Sequence, residues 1–184
     1  MRKVTAYLEQ NVSPKRRRHI FGVADTAEVL ARRFDYHPQK ARLAGLAHDL
    51  AREWPPEAVS EEALRDGRGL SPLEEQNPVL LHGRAAAQFI LEAFDITDTE
   101  ILDAVRHHTL GTADPSPLAL ILYAADYLEP NRPFLDARLK ELRDSADLVT
   151  LVLAVIDHLR ERGRDLAEPT LAMETTLRRR AESP

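Results

Sequence analysis

The sequence predicts an all-α fold, and three observations carry that prediction. Apolar residues recur at helical spacing in nearly every segment. No stretch alternates apolar and polar residues for the length of a strand. The segment boundaries carry helix caps, prolines at first helical positions and terminal glycines. There are no internal repeats and no low-complexity tracts. With 184 residues, 43% hydrophobic and 30% charged, the chain suits one domain with a sizeable core.

In "NVSPKRRRHIFGVADTAEVLARRFD", Ser13 is the N-cap and Pro14 the first helical residue; Ile20, Val23, Ala27, Leu30 and Phe34 then form one apolar stripe. "HPQKARLAGLAHDLA" starts a second helix at Pro38 that carries small residues up to and past His48. "PPEAVSEEALRDGRG" is a short helix stopped by glycines. The span 52–78 around it holds four prolines and two glycines, so it reads as an insertion or flexible cover. "NPVLLHGRAAAQFILEAFD" and "TDTEILDAVRHHTLG" follow, the latter capped by Thr97 or Asp98 and ended at Gly111. "SPLALILYAADYLEP" runs from Ser116 to Pro130, and the tail is amphipathic helix from Asp136 to Gly163 and again from Pro169. The whole of 1–184 reads as a single compact helical domain, with a motif-bearing core over 13–137 and C-terminal helices over 138–184.

A net charge of −5 argues against nucleic-acid binding, which usually needs a basic surplus. The absence of cysteine excludes disulfides and thiolate metal sites, so any metal is held by His, carboxylates and water. "MRKVTAYLEQ" lacks the apolar core of a signal peptide. The longest apolar run, Leu118 to Ala125, falls far short of the ~20 residues that span a bilayer. A cytoplasmic protein with no membrane contact is the expectation.

The histidines divide by helical face. His19 borders the buried side of its helix, with Val23 four residues on. His48 follows Ala41 and Ala44 on a face of small residues, His82 leads the face of Ala86, Phe89 and Ala93, and His108 follows Ile101 and Val105. Four imidazoles on the apolar faces of four helices each need a polar partner, and one shared cation answers all four. His107 sits above Asp103 on a polar face, His37 precedes a proline, and His158 lies among charges; these three read as surface residues. Asp126 ends a helix that is apolar on every side, and a carboxylate there needs a cation, either an arginine or a metal. Asp49 adjoins His48, although a lone His-Asp dipeptide is close to chance.

Six nitrogen and oxygen ligands without sulfur suit two cations with one bridging carboxylate, and fit Fe, Mn, Co or Zn better than Ca²⁺ or Mg²⁺. Two such ions hold a bridging hydroxide and polarise a phosphoryl oxygen, the two-metal route to phosphoester or phosphoanhydride hydrolysis.

The order His19, His48-Asp49, His82, His108, Asp126 resembles the H…HD…H…H…D pattern of the HD-domain phosphohydrolases, which fold as compact helical bundles. "RRHIFGVADTAEVLA", "ARLAGLAHDLARE", "AVRHHTLG" and "ILYAADYLEPNRPF" resemble the YqeK-type family of symmetrical diadenosine tetraphosphate hydrolases over most of 13–137. The resemblance implies His19, His48, Asp49 and Asp126 around one ion, iron first among the candidates, with Asp49 bridging to a second ion completed by His82 and His108. It implies hydrolysis of diadenosine tetraphosphate into two ADP by a metal-bound hydroxide, with Asp49 and His48 in the catalytic role. An aromatic usual in the family is His107 here, and the family lysine after the HD pair is Arg52, which keeps the charge but changes its geometry. Arg52 and Arg132 are assigned to the polyphosphate and Thr109 and Gly111 to its approach, against surface ion pairs to Glu53 and Glu129 for the two arginines. Arg16 reads as supporting or surface, and Trp54 either stacks a base or packs. Two other readings stand: an HD-type nucleotidase or deoxynucleotide phosphohydrolase, and a non-catalytic nucleotide-binding regulator. A cyclic-dinucleotide phosphodiesterase is disfavoured, since no Gly-Tyr-Pro follows in the expected place. The amphipathic C-terminal helices allow a homodimer or packing within one chain.

Overall fold

A computed structural model describes residues 1–182 as helices joined by short connections, with no strand among the described residues. The helices are α1 (Arg2–Asn11), α2 (Pro14–Arg33), α3 (Pro38–Ala47), α4 (Pro56–Leu64), α5 (Pro72–Gln76), α6 (His82–Phe94), α7 (Thr99–His107), α8 (Pro117–Leu128), α9 (Ala137–Ser145), α10 (Leu148–Glu161) and α11 (Glu168–Glu182). A 3-10 turn, Pro78–Leu81, leads directly into α6.

The caps act as their residue types dictate. Ser13 accepts from the Arg16 N–H at 3.2 Å, with Pro14 at the first helical position of α2. Between the two candidate caps of α7 it is Asp98 that accepts from the Glu100 and Ile101 N–H groups. The apolar helix α8 is central, buried at Leu118, Ile121, Leu122 and Ala124, with α2, α7 and α10 packed on it and α3 laid across α2 and α7. This arrangement turns the ends of α3, α6 and α7, the second turn of α2 and the last turn of α8 toward one point.

Three features differ from the sequence reading. α3 stops at Ala47 rather than continuing through His48, and 48–54 proceed as turns with Leu50, Arg52 and Trp54 N–H groups bonding three residues back. The tail breaks after Ser145, where the Asp147 side chain caps a new helix by accepting from Thr150. The Arg2–Asn11 segment is helical as well, with Val4 and Leu8 buried one turn apart. The span 52–78 is tied down rather than loose. Arg84, buried on α6, donates to Asp66 at 2.8 and 3.0 Å, to Glu74 at 3.0 Å and to the carbonyls of Arg68 and Gly69.

The apolar faces of α10 and α11 are used within the chain: Leu151, Val152, Val155, Met173 and Leu177 are all buried. No described helix is long and apolar enough to cross a membrane. His158, expected on the surface, is buried at 8% exposure, and its Nδ1 lies 2.8 Å from the Tyr127 hydroxyl. The charged residues near it in sequence occupy the other faces of α10.

Gly45 lets α3 approach α2 closely. A Cβ there would stand 2.6 Å from Ala24 Cα and 2.9 Å from Ala24 N, and backbone has nowhere to move. Gly45→Ala should therefore destabilise the chain by about 1–3 kcal/mol, read as a lower urea midpoint. Gly69→Ala, where a Cβ would meet nothing, is the comparison and should stay near wild type; equal midpoints for both would refute the close-contact account.

Candidate metal centre

Three of the histidines stand where a helix ends. His48 follows the last residue of α3 and His108 the last residue of α7, while His82 takes over from the 3-10 turn. The final carbonyls of a helix have no partner inside it. Each of these rings donates its Nδ1 proton to the carbonyl three residues earlier: His48 to Gly45 at 2.7 Å, His82 to Val79 at 2.5 Å and His108 to Val105 at 2.8 Å. The tautomer is thereby assigned, and each Nε2 is left as an acceptor. His19, from the second turn of α2, directs its Nδ1 to Glu129 Oε1 at 3.2 Å.

The Nε2 atoms then converge. His19 and His48 face each other at 3.3 Å, and His82 and His108 at 3.1 Å. Asp49 lies between the pairs: Oδ1 is 3.2 Å from His82 Nε2 and 3.8 Å from His108 Nε2, and Oδ2 is 3.6 Å from the Nε2 of both His19 and His48. Asp126 Oδ1 sits 3.1 Å from His19 and 3.8 Å from His48. All six residues named from the sequence thus meet in one place.

For His48, His108, Asp49 and Asp126 the electrostatics favours the ligand forms, and His19 is the exception. Burial holds His48 below the ordinary imidazole value and pushes His108 down to about 3. Burial alone would raise Asp49 and Asp126, but the surrounding imidazoles, with Arg132 beside Asp126, keep both well below the usual carboxylate range. On His19 burial, which lowers the value, is outweighed by Asp126 and Glu129, which raise it.

The donor set accepts a cation. Between His82 and His108 the only hydroxyl within reach among the described residues is Thr109, 3.3 and 3.2 Å from their Nε2 atoms, and its single proton serves only one of them. A buried acceptor is left to be answered by a positive charge. The donor atoms of His19, His48 and Asp126 lie within 4.8 Å of one another, as do those of His48, Asp49 and His108. Nitrogen-rich ligation with carboxylates and no sulfur matches a first-row divalent metal.

The chain matches the HD domain family over residues 16–131, a span that contains all six of these residues. The chain belongs to the HD-domain family. Among its HD-domain relatives, the protein named symmetrical bis(5'-nucleosyl)-tetraphosphatase from Bacillus subtilis is 36% identical over 129 residues, 70% of this chain and 69% of that one. The protein of the same name from Halalkalibacterium halodurans is 28% identical over 174 residues, 92% of each chain. A crystal structure from Clostridium acetobutylicum, described as a predicted HD superfamily hydrolase involved in NAD metabolism, superposes with a TM-score of 0.86 at 35% identity. That match covers 97% of this chain and 96% of the other.

The remaining residues named from the sequence fall into place unevenly. Arg132 pairs with Asp126 rather than principally with Glu129, from which its Nε is 3.9 Å away. Arg16 donates to Asp49 Oδ2 at 2.6 Å, the supporting role expected for it. Glu53 accepts from the Ser13 hydroxyl at 2.7 Å, and Arg52 makes no side-chain hydrogen bond or ion pair among the described residues. Trp54 packs edge-on against Phe89, 5.0 Å between ring centres.

Thr109 and Gly111 line a cavity of about 660 Å³ that borders the centre through the Thr109 side chain, while none of the six converging residues lines it. Its polar side carries Arg68 and Arg106 together with Glu74, Glu168 and His107, the last held toward its neutral form by burial, and its apolar side carries Leu73, Leu80 and Leu110. His107 is half-buried in this wall instead of lying on the open surface. The C-terminal helix α11 closes one flank with Pro169 and Ala172, anchored by the Thr170 hydroxyl on the Leu110 carbonyl at 2.8 Å. Sequence reasoning missed this flank because Pro169 and Ala172 carry no chemical signal. It also passed over Glu129 except as an arginine partner, although its place three residues after Asp126 was a usable clue.

Chelator-treated protein should gain thermal stability when Mn²⁺ is added, by about 2.7 kcal/mol at a hundred times the dissociation constant. Asp49→Asn should lose most of that gain. A wild-type melting curve indifferent to Mn²⁺ would contradict the assignment of these residues as ligands.

Proposed function

We propose that this chain hydrolyses a dinucleoside tetraphosphate at its central phosphoanhydride, releasing two nucleoside diphosphates. The observation that carries the reading is the convergence of His19, His48, Asp49, His82, His108 and Asp126, in a chain 36% identical to a protein named for this activity. His19, His48 and Asp126 would hold one divalent ion, His82 and His108 the other, with Asp49 between them. Iron is our first choice of metal, and Mn, Co or Zn are compatible with the same donors. Divalent ions bound there supply a low-pKa water for in-line attack and neutralise charge on the phosphoryl oxygens.

The chain's own groups set the substrate in position. Arg132, donating to Asp126, stands where a bound phosphate would meet its guanidinium group, while Arg16 supports Asp49. Arg52, adjacent to the His48-Asp49 pair and free of other partners, adds a second cation for the phosphates. The Thr109 hydroxyl, at the meeting point of centre and cavity, is placed to donate to a phosphoryl oxygen. One nucleoside half fits the cavity, its phosphates toward Arg68 and its base toward Leu73, Leu80 and Leu110. With one half seated and a symmetrical substrate, the central anhydride comes to the metals, which accounts for cleavage into equal halves. His48, Asp49, His82 and His108 are buried, while the more exposed Asp126 marks the side from which substrate would approach.

Incubation with diadenosine tetraphosphate should yield two equivalents of ADP for each substrate consumed. Equal amounts of AMP and ATP would overturn the symmetrical reading, and faster turnover of nucleoside monophosphates would favour a nucleotidase. Asp49→Ala should abolish turnover while circular dichroism still reports a helical fold. Arg68→Ala should raise KM about tenfold with kcat nearly unchanged, the loss of a contact worth about 1.4 kcal/mol equally in ground and transition states.

A further inference from the structure

His19 is oriented differently from the other three imidazoles. His48, His82 and His108 give their Nδ1 protons to neutral backbone carbonyls, whereas His19 gives its proton to a carboxylate, Glu129 Oε1, at 3.2 Å. Glu129 is 1% exposed, and its other oxygen accepts from the Asn131 backbone N–H at 2.8 Å and side-chain amide at 2.9 Å. Both oxygens are therefore committed to donors, and the group has no freedom to turn away. The α2 helix makes room for it three residues after His19, where a Cβ on Gly22 would stand 2.6 Å from Glu129 Oε2 and 3.2 Å from Asn131 Nδ2. Carboxylate, amide clamp and glycine form one device built around a single ring nitrogen.

We infer that Glu129 is a positioning residue that fixes the His19 ring and strengthens its Nε2 as a donor, making the His19–His48–Asp126 position the tighter of two unequal metal positions. The inference rests on the reading of these residues as metal ligands. A hydrogen bond to an anion is stronger than one to a neutral carbonyl, and it pushes electron density toward the opposite ring nitrogen. The two sides of the centre thus differ although their imidazole counts are equal. Glutamine at 129 would keep the volume but not the device, because its amide –NH₂ must face either the donors of Asn131 or the donor of His19.

The test is a Co²⁺ titration of the chelator-treated full-length chain, followed by calorimetry and by visible absorption. The wild type should bind in two steps of unequal affinity. Glu129→Gln should weaken the tighter step about 10–100-fold and alter its absorption band, while the weaker step stays put. Asn131→Ala, at an exposed position, should weaken the same step by a smaller factor and serves if Glu129→Gln does not fold. Glu174→Gln, a buried acid on α11 paired with Arg160 and Arg178, should leave both steps unchanged. A purely structural Glu129 would lower the melting temperature of the metal-free variant and leave Co²⁺ affinity and spectrum at wild-type values, which overturns the inference. Wild-type affinity in Asn131→Ala, with Glu129→Gln unfolded, overturns it as well. A wild type that takes up no Co²⁺ refutes the metal centre itself and is recognisably a different failure.

Discussion

The structure turns on a shortage of protons. Four imidazole nitrogens and two carboxylates face one another in a space from which water is largely excluded, and nearly all the hydrogens that might have separated them are committed elsewhere. His48, His82 and His108 spend their Nδ1 protons on helix-end carbonyls, and His19 spends its own on Glu129. What remains to balance the cluster is the Thr109 hydroxyl and the guanidinium groups of Arg16 and Arg132. Buried acceptors without donors are costly, and cations relieve that cost at the point where a phosphate ester must be polarised. Stability and chemistry are therefore coupled in the same residues.

The bundle exists in a form that permits this convergence. Ending α3 at Ala47 and α7 at His107 frees carbonyls that orient His48 and His108, so the ligands are placed by helix termini and not by helix faces alone. Close packing at Gly45 brings α3 onto α2, and Gly83 does the same for α6 on α7, where a Cβ would lie 2.8 Å from the Arg106 carbonyl. Arg84 then pins the segment that carries Arg68 onto α6, two residues from His82. The cavity wall and the metal centre are thus held by the same helix.

Much of this was legible beforehand, and the reasons are physical. Caps at Ser13 and Asp98, and the apolar stripe of α2, follow from local geometry that residue types encode directly. The four histidines and Asp126 stood out because a polar group on an apolar face has few acceptable explanations, and the resemblance to the HD pattern added Asp49. Other features depended on distant contacts that no local pattern carries. The early end of α3 reflects a His48 side chain capturing the Gly45 carbonyl, while small-residue periodicity continues unbroken through the turn. His158 looked exposed because its sequence neighbours are charged, yet Tyr127 and Phe134 cover it from another helix and a loop. The cover over 52–78 looked loose from its prolines and glycines, and one arginine outside the segment decided otherwise.

The central claim is that the cluster holds two divalent ions with Asp49 between them. Anomalous diffraction from a crystal of the chain loaded with Mn²⁺ measures this most directly. Two peaks should appear, one among His19, His48 and Asp126, the other against His82 and His108, each within bonding distance of an Asp49 carboxylate oxygen. A single peak, or peaks away from Asp49, would contradict the account.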